Sequence, residues 1–121
     1  MSSFPLVKDF TGVLSPNNLL AQATRVFENQ IRGPTSLAIH KDFIYAGTSG
    51  GGVWRGNLRT GNASKIVEIP NELCQTKPWD FSLCGRALGV RTDSKGTLFF
   101  VDAYLGLHKV EFNGDEPKVT R

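Results

Sequence analysis

The stretch that decides the fold is "GTLFFVDAYLGLHKV", from Gly96 to Val110, because it resembles an earlier stretch of the same chain. That earlier stretch is "DFIYAGTSGGGVWRG", from Asp42 to Gly56. Both run from an apolar segment through a turn into a second apolar segment. They align without a gap at an offset of 54 residues, which pairs Ile44 with Leu98. Alternating and apolar runs around a short turn predict a β-hairpin, so the sequence contains the same hairpin twice.

Working outward from the hairpins, each half of the chain carries four strand-like runs. The first four are "SLAIH", "FIYAGT", "VWRGNL" and "KIVEI", and the second four are "ALGV", "TLFFVD", "LHKVEF" and "KVT". At the first strand of each half the offset falls to 51 residues, which pairs Leu37 with Leu88 and Ile39 with Val90. This alignment predicts three extra residues in the turn "DSKG" of the second half, where an insertion costs little.

A four-stranded antiparallel sheet that recurs at about 50 residues is the pattern of a β-propeller blade. The second strand of each half, "FIYAG" or "LFFV", has no polar face, so both of its faces should be covered by neighbouring blades. The sequence therefore predicts an all-β chain with blade 1 at residues 33–72, a cysteine loop at 73–86 and blade 2 at 87–121. A small eight-stranded sandwich is the alternative, but it does not explain strands that recur in groups of four.

The first 32 residues differ from the rest and form a separate N-terminal segment. "SPNN", at Ser15–Asn18, is a turn or a helix start, and "LLAQA" after it predicts a short helical turn. "ATRVF", at Ala23–Phe27, alternates polar and apolar residues and predicts a strand. In a closed ring of blades, this strand would complete the final blade.

Composition excludes some classes of function. The net charge of +3 arises from 14 basic and 11 acidic residues that are scattered without runs. A nucleic-acid interface needs clustered cations, so no nucleic-acid partner is expected. No stretch has the length and apolar character of a signal peptide or a membrane span.

Several residues are candidates for covalent modification or metal binding. Cys74 and Cys84 either close a surface loop as a disulfide or remain reduced thiols, and their spacing does not decide between the two. A zinc site is disfavoured because it needs four ligands. Asn62 begins the sequon "NAS" and is a candidate glycosylation site. Trp54 and Trp79 are interpreted as packing residues.

Three other patterns favour structural roles over catalytic ones. The glycines at Gly50–Gly52 indicate a hairpin turn, because a phosphate loop would lead into a helix and here a strand follows. Asp102 is interpreted as the cap of the turn after its strand, because no second acid, base or nucleophile is evident beside it. Ser36, His40 and Asp42 have the residue types of a triad, but their placement along one strand cannot align them as a relay.

Specific stretches also resemble a known family. They are "FENQIRGPTSLAIH" at Phe27–His40, "AGTSGGGVWR" at Ala46–Arg55 and "CGRALGVRTDSKGTLFFVDAYLGLHKV" at Cys84–Val110. Together they resemble the early part of the strictosidine synthase-like family, in particular its adipocyte plasma membrane-associated protein branch. The likeness begins near Phe10 and runs to the end of the chain.

This resemblance implies a six-bladed propeller, secreted or membrane-anchored, whose relatives include strictosidine synthase and arylesterase-like hydrolases. It also implies that Cys74 and Cys84 are paired. Thr35 stands where hydrolytic relatives have a channel glutamate that faces a calcium ion in some cousins, and a neutral hydroxyl is a weak calcium ligand. The catalytic acid and the other channel ligands of the family lie in later blades. We therefore expect no catalytic residue, metal ligand or cofactor within this chain.

Two hypotheses about function follow from these observations. In the first, the chain is the N-terminal portion of a propeller that hydrolyses small esters or performs related small-molecule chemistry in its channel, and this portion alone is inactive. In the second, it is a non-catalytic binding or interaction module whose open blade edges pair with another chain or with a second copy. By resemblance, the location is the secretory lumen, the cell exterior or a membrane anchor, although this chain shows no signal peptide or transmembrane helix.

Overall fold

A computed structural model describes residues 6–68 and 72–121, and this part of the chain is mostly β. The first four strands are β1 (Pro34–His40), β2 (Phe43–Thr48), β3 (Val53–Asn57) and β4 (Asn62–Val67). Two short helices follow, α1 (Glu72–Thr76) and α2 (Phe81–Cys84). The last four strands are β5 (Ala87–Thr92), β6 (Leu98–Asp102), β7 (Gly106–Asn113) and β8 (Glu116–Thr120).

The strands form two four-stranded antiparallel sheets, ordered β1-β2-β3-β4 and β5-β6-β7-β8. We call them sheet 1 and sheet 2. Each is a simple up-and-down arrangement in which consecutive strands are neighbours, as in a propeller blade. The predicted fold class is therefore confirmed, and each of the eight strand runs predicted for the two blades overlaps an observed strand.

The central hairpins of the two sheets have the same register at the predicted offset of 54 residues. In sheet 1, Ile44 pairs with Gly56 and Tyr45 pairs with Arg55. The partners in sheet 2 lie 54 positions further on, with Leu98 opposite Val110 and Phe99 opposite Lys109. Because a slip of one residue would turn every side chain to the other face, this agreement shows that corresponding residues share a face.

The predicted offset of 51 for the first strands is wrong, and the structure gives 53. Leu37 pairs with Ala46, and the corresponding pair in sheet 2 is Val90 with Phe100. The counterpart of Leu37 is thus Val90, and the turn of sheet 2 is longer by one residue instead of three. Both first strands also carry a β-bulge at corresponding positions, between Pro34 and Ser36 in β1 and between Ala87 and Gly89 in β5.

The N-terminal segment differs from its prediction. Its described helical element is a 3-10 helix at Gly12–Leu14, whereas residues 19–22 form turns. Ala23–Phe27 forms no strand with any described residue. Phe27 has a φ of 55°, a left-handed conformation that ends an extended run, and its ring lies against Gly56 of β3. The strand predicted at Ala23–Phe27 is therefore wrong.

The core lies between the two sheets and is built from both. Its buried members are Ala38, Tyr45, Val53, Val67, Ala87, Val90, Leu98, Phe100 and Val110. Each fully buried aliphatic or aromatic side chain contributes about 1.5–3 kcal/mol to stability. The innermost strands β1 and β5 lie side by side. Gly47 lets β2 also approach β5, because a Cβ atom there would lie 2.7 Å from the Ala87 carbonyl oxygen.

The two second strands differ in how they are covered. In β2, every residue after Phe43 is buried, as the lack of a polar face predicted. In β6, buried and more exposed residues alternate, and Val101 is 49% exposed. The prediction of cover on both faces is therefore correct for β2 and wrong for β6 within the described residues, because no described element packs on the outer face of sheet 2.

Candidate functional site

Thr35 is the second residue of β1. It is the residue that the family resemblance places at the channel position. It sits at the β1 bulge, and its Oγ1 donates toward the carbonyl oxygens of Gly47 (3.2 Å) and Ala87. A hydroxyl has one proton, so it serves one of these carbonyls at a time. Thr35 therefore links β1 to β2 and to β5 of the second sheet.

This arrangement does not fit a calcium ion at Thr35. Calcium takes six to eight oxygen ligands, usually with carboxylates among them. The Thr35 hydroxyl is neutral, and its proton is directed toward the carbonyl oxygens of Gly47 and Ala87. In the described ranges, no three His, Cys, Asp or Glu residues cluster closely enough to hold a metal ion.

Ser36, His40 and Asp42 lie in separate surroundings, as their spacing predicts. The Ser36 Oγ accepts a hydrogen bond from the backbone N–H of Val90 at 3.1 Å. The His40 ring lies beside the β5–β6 turn, and Asp42 forms an exposed ion pair with Arg59 at 3.1 Å. Four residues of strand separate Ser36 from His40 by about 13 Å, so these side chains form no nucleophilic relay.

Asp102 caps a turn, as predicted. Its Oδ1 accepts hydrogen bonds from the backbone N–H groups of Tyr104 (2.9 Å) and Leu105 (3.1 Å). Its counterpart in sheet 1 is Thr48, whose Oγ1 donates to the Gly51 carbonyl at 2.9 Å. The two turns are thus fixed by different chemistry at the same position of the repeat. The Asp102 Oδ2 is buried without a hydrogen-bond partner among the described residues.

An aromatic and charged cluster joins the outer parts of the two sheets. The rings of Tyr45 and Phe112 lie 5.8 Å apart. The Arg55 guanidinium lies over the rings of Phe43 (4.8 Å) and Phe112 (5.6 Å) and pairs with Asp115 at 3.2 Å. Burial raises the pKa of Tyr45, and the nearby Arg55 charge partly opposes this shift.

This cluster was not predicted from the sequence. Arg55 and Asp115 are 60 residues apart in the chain. The β3–β4 turn and the β7–β8 turn have unrelated sequences. Only the packing of one sheet on the other brings the two residues together.

The cysteine loop contains the disulfide implied by the family resemblance. Cys74 in α1 and Cys84 in α2 are bonded, and their Cα atoms lie 4.9 Å apart. Cys84 is buried, whereas Trp79 between the two cysteines is 72% exposed. The interpretation of Trp79 as a packing residue is therefore wrong. Trp54 is partly buried on sheet 1.

The predicted glycosylation sequon lies at an accessible position. Asn62 is the exposed first residue of β4, an outer strand of sheet 1. Asn62 follows the β3–β4 turn, in which the Asn57 side-chain oxygen accepts hydrogen bonds from the backbone N–H groups of Arg59 and Thr60. Glycosylation at Asn62 stays a prediction.

Among the described residues, none of the helices has the length and apolar character needed to cross a bilayer. The longest α-helix in this part of the chain has five residues. The second helix has four.

Comparison with known proteins identifies relatives across most of the chain. Residues 12–56 match a family model described as "Strictosidine synthase-like, N-terminal". The adipocyte plasma membrane-associated protein of Bos taurus is 46% identical over 101 residues, which are 84% of this chain and 24% of that protein. The human protein of the same name is 44% identical over 99 residues, or 82% of this chain and 23% of that protein.

A plant relative extends the similarity. Protein STRICTOSIDINE SYNTHASE-LIKE 3 of Arabidopsis thaliana is 35% identical over 121 residues, covering 91% of this chain and 29% of that protein. The chain spans about a quarter of the length of the curated relatives it matches. Its sequence and its two blade-like sheets together show that the chain belongs to the strictosidine synthase-like family.

Proposed function

We propose that this chain supplies two adjacent blades of a six-bladed propeller whose central channel binds a small molecule, with hydrolysis of small esters or related chemistry as the activity of the whole ring. In this proposal, the chain forms part of the channel wall and docks the next blade. The catalytic groups come from other blades, so this chain alone is inactive.

The observation that carries the proposal is an open face of sheet 2 that corresponds to a covered face of sheet 1. The register places Tyr45, Gly47, Val53 and Arg55 on the face of sheet 1 that packs on sheet 2. Their counterparts in sheet 2, at the same offset, are Phe99, Val101, Leu107 and Lys109. Val53 is fully buried, whereas Leu107 is 61% exposed.

This open face has the character of a blade interface. An apolar groove of about 500 Å³ runs across it, with Leu88, Val101 and Leu107 in its wall. Lys109 corresponds to Arg55, which meets Asp115 across the existing interface. Lys109 itself pairs with Glu111 of its own strand at 2.9 Å. A further sheet that packs as sheet 2 packs on sheet 1 would cover the groove. Repeat architectures bury their apolar faces by such stacking.

The inactivity of the chain is a testable part of the proposal. Ester hydrolysis needs a nucleophile or an activated water within hydrogen-bond reach of a base. Ser36 and Asp42 are bonded to different partners, Val90 and Arg59, and the His40 ring lies beside Gly96 of the β5–β6 turn. We expect the purified chain to hydrolyse phenyl acetate at the rate of buffer alone, as measured by phenol release with and without added calcium.

Ser36→Ala is the control variant for this assay. Because a contaminating esterase would be unaffected by the change, turnover that persists in Ser36→Ala preparations is attributed to the contaminant. Turnover that copurifies with the chain and disappears in the Ser36→Ala variant would contradict the assignment of catalysis to other blades.

A second candidate function is a non-catalytic interaction module, favoured by the same exposed apolar side chains. In this candidate function, the outer face of sheet 2 binds a β-sheet of another chain, which can be a second copy of this chain. We expect concentration-dependent association in sedimentation velocity experiments. Leu107→Glu should raise the dissociation constant about tenfold or more, because a charge would then be buried at the contact.

Leu58→Glu is the matched control for the association experiment. Leu58 is also an exposed leucine, but it lies in the β3–β4 turn, away from the outer face of sheet 2. Its variant should associate as the unmodified chain does. A chain that stays monomeric at high concentration, or equal association of the two variants, would argue against an interface on sheet 2.

We further propose that the chain resides in the secretory pathway or at the cell exterior. Two observations support this location. The chain has a disulfide, which persists in oxidising compartments. The mammalian relatives are named as plasma membrane-associated proteins.

A further inference from the structure

A groove on the other side of sheet 1 has the composition of a ligand site. It lies between the end of the N-terminal segment, the β2–β3 turn and the face of sheet 1 that is turned away from sheet 2. Its volume is about 430 Å³, within the range of small-molecule pockets. The residues that line it are Asn29, Gln30, Arg32, Thr48, Ser49, Gly50, Gly51, Trp54 and Lys65.

The groove is positively charged and has one aromatic wall. Two cations, Arg32 and Lys65, line it, and none of the lining residues is acidic. Trp54 and Lys65 are directly opposite each other on β3 and β4, so their side chains share one face. The side chains of Trp54 and Lys65 are therefore neighbours in the wall.

Both cations are available to a ligand. Arg32 is exposed, and no ion pair of its guanidinium is found among the described residues. Lys65 pairs with Glu68 at 3.3 Å, but the Glu68 side chain is 76% exposed. Exposed ion pairs of this kind contribute little, so an incoming anion can replace Glu68 at small cost.

The walls of the groove are held in place by contacts outside it. The Gln30 side chain donates to the Gly61 carbonyl at 2.9 Å and accepts from the Ala63 N–H at 2.8 Å. The Phe27 ring lies against Gly56, where a Cβ atom would approach it to 2.5 Å. These contacts fix the N-terminal segment across sheet 1. A fixed site loses little entropy when a ligand binds.

We propose that this groove binds a planar aromatic anion, an aryl carboxylate, with its ring against Trp54 and its carboxylate between Arg32 and Lys65. Charge-assisted hydrogen bonds to the two cations supply the selectivity for an anion. The indole face supplies stacking. This binding lies outside the channel and does not depend on the proposed activity of the whole ring.

The test uses 2-naphthoate as the probe and the indole N–H signals of the chain as the readout. The chain has two tryptophans, so the spectrum contains one signal from the groove and one from Trp79 in the cysteine loop. A Trp79→Phe variant assigns the two signals. At low salt, we expect 2-naphthoate to shift the Trp54 signal saturably with a Kd of roughly 0.1–1 mM, and to leave the Trp79 signal in place.

Charge variants and a neutral probe decide whether the groove recognises an anion. Arg32→Gln and Lys65→Gln should each weaken binding about 3- to 10-fold, because each removes one charge-assisted contact. Lys95→Gln, at an exposed lysine of the β5–β6 turn, should bind as the unmodified chain does. The neutral 2-naphthylmethanol should bind about tenfold or more weakly than 2-naphthoate.

Several results would overturn the proposal. They are equal shifts of the two tryptophan signals, unchanged affinity in both Arg32→Gln and Lys65→Gln, and equal affinity for the acid and the alcohol. The spectra of the variants also report whether they fold. Arg32 is exposed and unpaired among the described residues, so Arg32→Gln is expected to leave the fold intact.

Discussion

Replacing Gly51 by alanine is expected to lower the free energy of unfolding by about 3–5 kcal/mol, the sum of left-handed strain and overpacking. Gly51 has a φ of 77°, which is unfavourable for any residue with a side chain. A Cβ atom at this position would also overlap the Cys84 carbonyl oxygen. That oxygen belongs to the backbone of the cysteine loop, so it cannot move without displacing α2.

Two other glycines distinguish the effect of backbone strain from the effect of the contact with Cys84. Gly61 has a similar φ of 75° but nothing within 4 Å of its Cβ position, so Gly61→Ala should cost only about 1–2 kcal/mol for the backbone strain. Gly50 has neither feature, so Gly50→Ala should change stability by less than about 0.5 kcal/mol. Urea denaturation with an unchanged m value measures all three. Equal stability of the Gly51→Ala and Gly61→Ala variants would contradict the contact between the β2–β3 turn and the cysteine loop, because both changes introduce backbone strain and only Gly51 makes the contact.

Removing the disulfide is expected to cost about 2–4 kcal/mol. The Cys74–Cys84 bond closes a loop with a sequence separation of 10 residues, and this loop connects the outer strand of sheet 1 to the inner strand of sheet 2. The bond limits the conformations of the unfolded chain. The measurement compares urea denaturation of the unmodified chain, with and without reductant, to that of the Cys74→Ala/Cys84→Ala variant.

The reductant serves as the internal control for this comparison. It should lower the denaturation midpoint of the unmodified chain toward that of the double variant and have no effect on the double variant. An unmodified chain whose midpoint does not respond to reductant, although its thiols become reactive, would contradict a stabilising role for the bond. Because Gly51 contacts Cys84, the Gly51 and cysteine effects should be less than additive.

The repeat and the central hairpins were predictable from the sequence because their information is local. Apolar runs around a glycine turn define a hairpin, and its two copies align without a gap from Ile44 to Arg55. The cap at Asp102 was predictable for the same reason, since an aspartate at a strand end finds its partners two and three residues later. The disulfide needed the family resemblance, because the spacing of two cysteines does not decide their redox state.

The offset of the first strands could not be read from side-chain character. The bulges at Thr35 and Leu88 interrupt the alternation, and "SLAIH" and "ALGV" then align equally well two residues away from the true register. The strand predicted at Ala23–Phe27 failed for a different reason. Its pattern is compatible with a strand, but the structure places Phe27 in a left-handed conformation against Gly56.

The contacts between the two sheets also could not be predicted from the sequence. Thr35 reaches Ala87, and Arg55 reaches Asp115, across more than 50 positions of chain. Each of these residues has an ordinary local context. Their roles depend on how the two sheets pack. The local alternation of polar and apolar residues does not determine that packing.

The most direct test of the account is the nuclear Overhauser spectrum of the chain between the rings of Tyr45 and Phe112. These rings lie in different sheets, with centroids 5.8 Å apart. If the two repeats pack as neighbouring blades, we expect cross-peaks between the protons of the two rings, together with cross-strand peaks in the register that places Tyr45 opposite Arg55 and Phe99 opposite Lys109. A folded chain that shows the cross-strand peaks of both sheets but none between Tyr45 and Phe112 would contradict the packing of the two repeats as neighbouring blades.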